Sequence, residues 1–519
     1  MADRTFKITP LIWAGFGAIL FLLALIILPL MALLWRAETP AALGAADLAA
    51  VRFTLLQATL SAGISVALAV PVARALARRR FFGRGLLITL LGAPFILPVI
   101  VAVLGLLAVF GRGGIFSEML GWIGLPPVHI YGLHGVVLAH VFFNLPLATR
   151  LILHGWLSIP AERFRLAASL GFGPRDVARV LEWPMLRSIL PGAFMVIFLI
   201  CMTSFAVALA LGGGPKATTV ELAIYQAFRF DFDLGRAALL AGVQFAMGAV
   251  AAGVMLWVSV PHAMGAGLDR TVERWDDAAG WLDALLLVVA ALFLIVPLGM
   301  ILIDGLPYVL SLPTSVYTAA GRSLVVALMS MALSTGLGLL LALLVVRLQR
   351  GAVLVETIGY VTLAASPLVI GAGLFILLFP VVDPVALALP ITALVNAAMS
   401  LPFALRALVP AVREVEGTYG RLADSLAMNG WVRMKLVLWP RLRRPLGFSA
   451  GLAAALSMGD LGVIALFSDP DRATLPLQMY RLMSAYRMDQ AAGAAVLLLG
   501  MSLFLFWIFD RGGRADADV

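Results

Sequence analysis

Long apolar runs separated by short polar segments make up most of this chain. A run of about 20 apolar residues is long enough to cross a bilayer as a helix, and helices satisfy every backbone polar group within lipid. The pattern therefore predicts an all-α polytopic membrane protein. The twelve predicted spans are residues 11–35, 54–73, 86–110, 133–149, 189–211, 237–260, 282–303, 323–346, 354–380, 387–405, 446–467 and 490–509.

Composition and charge support this prediction. Of the 519 residues, 62% are hydrophobic and 13% are charged, which is more apolar surface than a soluble core needs. The net charge of +9 does not indicate nucleic-acid binding, because the basic residues collect in alternate polar segments, as in the run Arg78–Arg80. This is the positive-inside bias of membrane insertion. It places both termini in the cytoplasm and makes the lipid bilayer, rather than a nucleic acid, the expected surroundings.

An internal repeat runs through the chain. Residues 165–187 (RLAASLGFGPRDVARVLEWPMLR) align without a gap on residues 421–443 (RLADSLAMNGWVRMKLVLWPRLR), 256 positions later. Nearer the start of each half, Pro98 corresponds to Pro367, 269 positions later. The 13-residue difference falls within 111–133, where the first half has a longer external loop.

The repeat divides the chain into two permease-like units. We predict a first repeat at 1–260, a cytoplasmic linker at 261–281 and a second repeat at 282–519. Each repeat contains six predicted spans, so the second enters the membrane in the same direction as the first and the repeats are parallel. The duplicated cytoplasmic segments, 160–187 and 416–443, are called here the first and second coupling loops.

Each coupling loop has the pattern of a helix, a tight turn and a second helix. In the first loop, Leu166 and Leu170 fall on one helical face. Gly171 suits a left-handed helix end, and Pro174 suits the first turn of the next helix. A single such segment is typical of an amphipathic helix at the membrane surface. Its recurrence at the same place in both halves favours two docking points for a cytoplasmic protein.

The loops resemble the "EAA" loop of the membrane subunits of binding-protein-dependent ABC importers. The pattern departs from that family because Arg165 and Arg421 stand where the family often has Glu. Over essentially the whole chain, including the segments 131–150, 211–227 and 457–476, the sequence resembles the fused, double-length permeases of bacterial thiamine (thiamine pyrophosphate) importers. The fused permeases of ferric-iron importers are the nearest sibling class.

The resemblance implies a type I ABC importer permease fold and a complex with other proteins. Two copies of a cytoplasmic ATPase would dock on the coupling loops, and a periplasmic thiamine-binding protein would deliver the substrate. ATP and Mg²⁺ would bind to the ATPase, so no cofactor and no catalytic activity are expected in this chain. The residues assigned to ATPase coupling are Arg165, Ala167, Ala168, Ser169, Gly171, Arg421, Ala423, Asp424, Ser425 and Ala427.

Three residues are candidates for the substrate pathway or its gate. Asp460 is the acidic residue well inside a predicted span, and buried acids in membranes usually mark function. Ser204 is its counterpart in the first half, and Asn144 lies on the fourth span. Because acids at this place also occur in permeases for oxyanions, we favour a structural or gating role for Asp460 over contact with the substrate. The segment Gly212–Thr218 lacks the spacing of a phosphate-binding loop and is predicted to be external.

Other functions remain open from the sequence. A ferric-iron importer is the closest alternative in substrate. An ion-coupled secondary carrier can also have a parallel repeat of six plus six spans, but it would be expected to place ionisable residues in several spans. A membrane-embedded enzyme would need a cluster of catalytic polar residues at one depth, and the sequence does not suggest one.

Overall fold

The fold is described from a computed structural model. The predicted linker, 261–281, lies outside the described residues except for its last two positions. The described residues are 10–36, 43–92, 94, 96–257, 280–348, 351–362, 365–428, 430–467 and 470–514.

The described residues form α-helices joined by short turns, with no β-strand among them. The helices are α1 (Pro10–Arg36), α2 (Ala45–Arg78), α3 (Arg84–Leu90), α4 (Val99–Phe110), α5 (Ile115–Trp122), α6 (Leu133–Leu157), α7 (Ala161–Ser169), α8 (Pro174–Val177), α9 (Trp183–Met202), α10 (Phe205–Leu211), α11 (Val220–Arg229), α12 (Leu234–Leu256), α13 (Gly280–Gly305), α14 (Thr314–Arg347), α15 (Ala352–Val361), α16 (Pro367–Leu378), α17 (Ala388–Ser425), α18 (Gly430–Arg433), α19 (Trp439–Met458), α20 (Gly462–Phe467), α21 (Leu475–Ser484) and α22 (Met488–Arg514).

The order of elements repeats between the halves. Helices α1 to α4 recur as α13 to α16, and α8 to α12 recur as α18 to α22. A π-helical turn follows α8 at Ala178–Glu182 and recurs after α18 at Met434–Leu438. Two differences stand out. The span α6 and the coupling helix α7 are separate in the first half but continuous in α17, and α5 occupies the longer loop of the first half.

Eleven helices within the described ranges are long and apolar enough to cross a membrane. The predicted single spans 86–110 and 354–380 are corrected by the structure, because each is divided into two shorter helices. Proline explains both breaks, since it lacks the amide hydrogen that a continuous helix needs. Pro98 immediately precedes α4, and Pro367 is the first residue of α16.

The first helix of each half packs against the other half. Helix α1 lies against α14 and α16, and α13 lies against α2 and α4. Both crossings depend on a glycine. A Cβ atom at Gly105 would be 2.6 Å from the carbonyl oxygen of Pro297, and one at Gly373 would be 2.5 Å from that of Pro29. These close approaches hold the first helix of each half against the other half.

Short helices from both halves meet in the middle of the molecule. Helix α11 of the first half packs against α16 and α20 of the second half, and Phe205 at the start of α10 lies beside Gly462 of α20. The rings of Phe228 and Phe375 are in edge-to-face contact there, with their centroids 4.7 Å apart. A Cβ atom at Gly459 would be 3.0 Å from Cα of Pro98 in the other half. The halves are thus closed against each other at this level.

Candidate functional site

The first coupling loop has the predicted helix–turn–helix structure. Helix α7 ends in a turn in which Phe172 N donates to Ala167 O and Gly171 N donates to Ala168 O, each at 3.0 Å. This pair of bonds is the Schellman motif, which requires a left-handed residue after the helix. Gly171 supplies it with a φ of 69°.

The second coupling loop closes in the same way. Met428 N donates to Ala423 O at 2.9 Å, and Ala427 N donates to Asp424 O at 3.1 Å. Ala427 takes the left-handed position with a φ of 51°, which costs an L-residue with a Cβ atom about 1 kcal/mol relative to glycine. The turn is therefore kept in the second copy although its residue disfavours it.

The structure divides the predicted coupling residues into two groups. Ala167 and Ala423 are buried, at 3% and 2% exposure, and hold their helices against the bundle. Leu166 and Leu422 are about 60% exposed and belong to the same exposed surface. They are not among the predicted coupling residues, although the apolar spacing of Leu166 and Leu170 indicates this face of the helix. The exposed predicted residues are Arg165, Ala168, Ser169, Gly171, Arg421, Asp424, Ser425 and Ala427.

The two loops present different surfaces. The first exposes Arg175 and Asp176 at the start of α8. At the equivalent positions the second exposes Trp431 and Val432, at 76% and 49%. An exposed tryptophan beside other apolar side chains is typical of a protein contact surface. The second loop thus offers the larger apolar area.

Ion pairs join the first loop to α2 and the second loop to Arg347 of α14, and further pairs brace the second loop internally. Arg74 on α2 contacts Glu182, at the end of the first loop, at 3.0 Å. In the second loop the buried Arg433 pairs with Asp424 at 2.6 Å and also with Glu416. Asp424 and Arg433 correspond to Ala168 and Val177 in the first loop, so both partners of the pair are present in one copy and absent from the other.

We expect Glu416→Gln to destabilise the permease by about 2 kcal/mol, since it weakens the partnership of a buried arginine. Arg433 is 5% exposed, and Glu416 also accepts from Arg347 at 3.3 Å. The measurement is the Tm of the detergent-solubilised permease. The control is Glu162→Gln, which removes a pair exposed at both ends and should have little effect. Equal Tm values for the two variants would contradict the prediction.

Asp460 and Ser204 lie at equivalent helix breaks. Ser204 separates α9 from α10, and Asp460 separates α19 from α20. Asp460 Oδ1 accepts from Gly462 N at 3.2 Å, which caps the first turn of α20. Its Oδ2 atom is buried without a hydrogen-bond partner among the described residues. One of the two carboxylate oxygens, Oδ1, therefore has a hydrogen-bond partner that stabilises the helix start.

Asn144 belongs to the packing of the first half. It is 3% exposed, and its Nδ2 donates to His140 O at 2.8 Å and lies 3.3 Å from Cys201 Sγ. These partners tie α6 to α9 within the same half.

Glu221 is a further acidic residue and is buried inside the protein. The spans predicted from the sequence instead place its segment in an external loop. Glu221 is 1% exposed in α11, and both of its oxygens lack a hydrogen-bond partner among the described residues. The signal for its burial was the helical spacing of Val220, Ile224 and Phe228 around it. Because α11 is too short to span a membrane, hydropathy did not reveal it. Within the described ranges, no cluster of His, Cys, Asp and Glu is suited to hold a metal ion.

No family model matches the chain. Individual relatives match nearly all of it. The thiamine transport system permease protein ThiP of Salmonella typhimurium is 41% identical over 485 residues, covering 90% of each protein. Its namesake in Escherichia coli is 40% identical over 477 residues, covering 89% of this chain and 88% of the relative. That of Brucella abortus is 39% identical over 474 residues, with 89% and 87% covered.

A shorter relative matches about half of the chain. The probable sulfate transport system permease protein cysT of Helicosporidium is 26% identical over 248 residues. The match covers 46% of this chain but 90% of the relative. The match thus spans nearly the whole of that relative but less than half of this chain.

Proposed function

This chain belongs to the family of thiamine transport system permease proteins, and we propose that it is the membrane subunit of an ATP-driven bacterial importer of thiamine and its phosphates. The observation that carries the proposal is the similarity to these permeases over about nine-tenths of both chains. The three relatives reported above at this coverage are named for thiamine rather than iron, which favours thiamine over the ferric-iron alternative. The protein is a multi-pass protein of the inner membrane.

We propose that two copies of a cytoplasmic ATPase bind the two coupling loops. Both loops are exposed, both are linked to their bundles by an ion pair whose carboxylate is largely buried, and both are closed by the same hydrogen-bonded turn. A contact that moves such a loop would move the helices attached to it as a unit. The halves would then rock between outward-open and inward-open arrangements. The permease itself performs no chemistry, and ATP hydrolysis belongs to the partner.

A periplasmic thiamine-binding protein is the second proposed partner. The surface opposite the coupling loops carries α5, which the second half lacks. This difference gives the outer face an asymmetric shape suited to a single binding protein. The alternative of a secondary carrier leaves the paired loops without a purpose.

The test of the proposed function is uptake in reconstituted vesicles. Permease, ATPase and thiamine-loaded binding protein should together accumulate radiolabelled thiamine in an ATP-dependent manner. Omission of the ATPase should abolish uptake, whereas collapse of the proton and sodium gradients should not. Uptake that requires an ion gradient and not ATP would instead establish a secondary carrier.

The proposed topology predicts which single cysteines are accessible from each side in a Cys201→Ser background. Arg175→Cys, on the exposed part of the first coupling loop, should react only from the cytoplasm. Lys216→Cys, in the exposed turn before α11, should react with an impermeant maleimide from the periplasm. The measurement is labelling of intact cells against inverted vesicles. Periplasmic labelling at position 175 would overturn the coupling-loop assignment, because ATP is cytoplasmic.

A further inference from the structure

Glu221 is a buried acid that forms no ion pair with a basic side chain among the described residues. The side chain lies in the first turn of α11, and neither carboxylate oxygen has a hydrogen-bond partner among the described residues. Burial of an unpaired carboxylate costs several kcal/mol unless it is neutralised or meets a cation. Glu221 therefore destabilises the conformation in which its side chain is buried.

The polar groups nearest to Glu221 are neutral and can relieve this cost only in part. Gln244 and Ser366 are the side chains able to hydrogen-bond to the carboxylate, and neither carries a charge. The Gln244 amide nitrogen already donates to Met202 O at 3.1 Å, and its Oε1 is a second buried acceptor without a partner. The Ser366 hydroxyl oxygen accepts from the amides that begin α16. Acceptor oxygens thus outnumber donors around Glu221, which is an environment suited to a positively charged group.

Glu221 also lies where the two halves meet. Ser366 belongs to the second half, and α11 packs against α16. One turn along α11, the ring of Tyr225 contacts that of Phe205 with centroids 5.2 Å apart. Phe205 in turn lies beside Gly462, at the helix break of Asp460. A line of aromatic side chains therefore runs from Glu221 to the second break.

We propose that Glu221 receives the cationic thiazolium ring of thiamine as the substrate passes between the halves. The inference rests on the proposed function and names the group that would recognise the substrate's charge. Thiamine and its phosphates all carry this permanent cation. Tyr225 and Phe205 add ring faces that attract cations. Glu221 is better placed for this than Asp460, whose Oδ1 caps α20.

The same geometry couples the substrate to opening of the permease. With the halves closed, Glu221 is buried and meets no cationic side chain among the described residues. Separation of α11 from α16 would expose it, and a bound cation would then compensate its charge. A ligand shifts a conformational equilibrium only by its difference in affinity for the two states, and this carboxylate provides such a difference for an organic cation.

The test compares Glu221→Gln with the wild type in vesicles containing the complete complex and the loaded binding protein. We expect at least a tenfold lower rate of radiolabelled thiamine uptake. ATPase stimulation by the loaded binding protein should stay within twofold of the wild type, and the Tm should be unchanged or higher. Glu221→Asp keeps the charge on a shorter side chain and should give intermediate uptake. The matched control, Glu414→Gln, alters an exposed acid of α17 that lies outside the coupling loop and should transport normally.

Each contrary result has a distinct meaning. Wild-type-like uptake by Glu221→Gln would overturn the assignment and leave the proposed function standing. A parallel loss of uptake and Tm would show a packing role, and a parallel loss of uptake and ATPase stimulation would show a coupling role. Either would overturn the assignment. Failure of the wild type to accumulate thiamine would overturn the proposed function and this assignment together.

Discussion

Gly171→Pro is expected to abolish recovery of the ATPase with the permease while the permease remains in the membrane. Proline fixes φ near −65°, whereas position 171 has a φ of 69°. The substitution would break the turn that joins α7 to α8 and turn the exposed face of the coupling helix away from its partner. The measurement is copurification of the ATPase from solubilised membranes, together with ATP-driven uptake.

The repeat supplies matched controls for this prediction. Gly171→Ala introduces the residue that the second loop tolerates at Ala427, so it should lower stability by about 1 kcal/mol and keep most ATPase binding. Ala427→Pro should impair coupling as Gly171→Pro does, while Ala427→Gly should be neutral or stabilising. Normal copurification and uptake in both proline variants would show that the loops are not the ATPase contacts.

Two identical ATPase subunits would meet unequal surfaces on this permease. Trp431 and Val432 make the second loop more apolar, and the Asp424–Arg433 pair stiffens it. The first loop has Arg175 and Asp176 at the same places as Trp431 and Val432. Because apolar anchors contribute more to binding than solvated charges do, the second loop should hold its ATPase more tightly. The fused chain fixes this inequality, since each half always has the same neighbour.

The features that could be predicted from the sequence are the long membrane-spanning helices and the segments that occur in both halves. A span needs about 20 apolar residues, so the long helices were visible as runs. The repeat made the two coupling loops recognisable because the same polar pattern occurs twice at the same place. The helix end at Gly171 followed from local backbone preference, and the structure confirms it.

The features that the sequence did not reveal depend on contacts between distant parts of the chain. A proline within an apolar run hardly changes its mean hydropathy, so 354–380 was predicted as a single span although Pro367 divides it. Helices α1 and α13 each pack against the opposite half. This packing depends on Gly373 and Gly105, which look like ordinary small residues in the sequence. Burial of Glu221 depends on a short helix enclosed by both halves, where polarity alone suggested an external loop.

The two possible roles of Asp460 predict different effects for two substitutions. Asp460→Asn should retain substantial uptake, because its amide oxygen can accept from Gly462 N as Oδ1 does now at 3.2 Å. Asp460→Leu should lower both the amount of folded protein and uptake. It removes the cap of α20, worth about 1 kcal/mol, and forces a larger apolar side chain into a break where Gly459 touches Pro98. The measurements are folded yield by size-exclusion chromatography and ATP-driven uptake.

The matched control for Asp460 is Ser204→Ala, at the equivalent break of the first half. Ser204 forms no side-chain cap on α10, so its loss should change yield and uptake little. If Asp460→Asn is folded normally and its ATPase is still stimulated, yet uptake is lost, then the buried Oδ2 charge is needed by the substrate. That result would move Asp460 into the cation pathway beside Glu221. If instead Asn preserves uptake and Leu does not, the carboxylate serves the helix break, and the charge that meets the substrate must come from another residue.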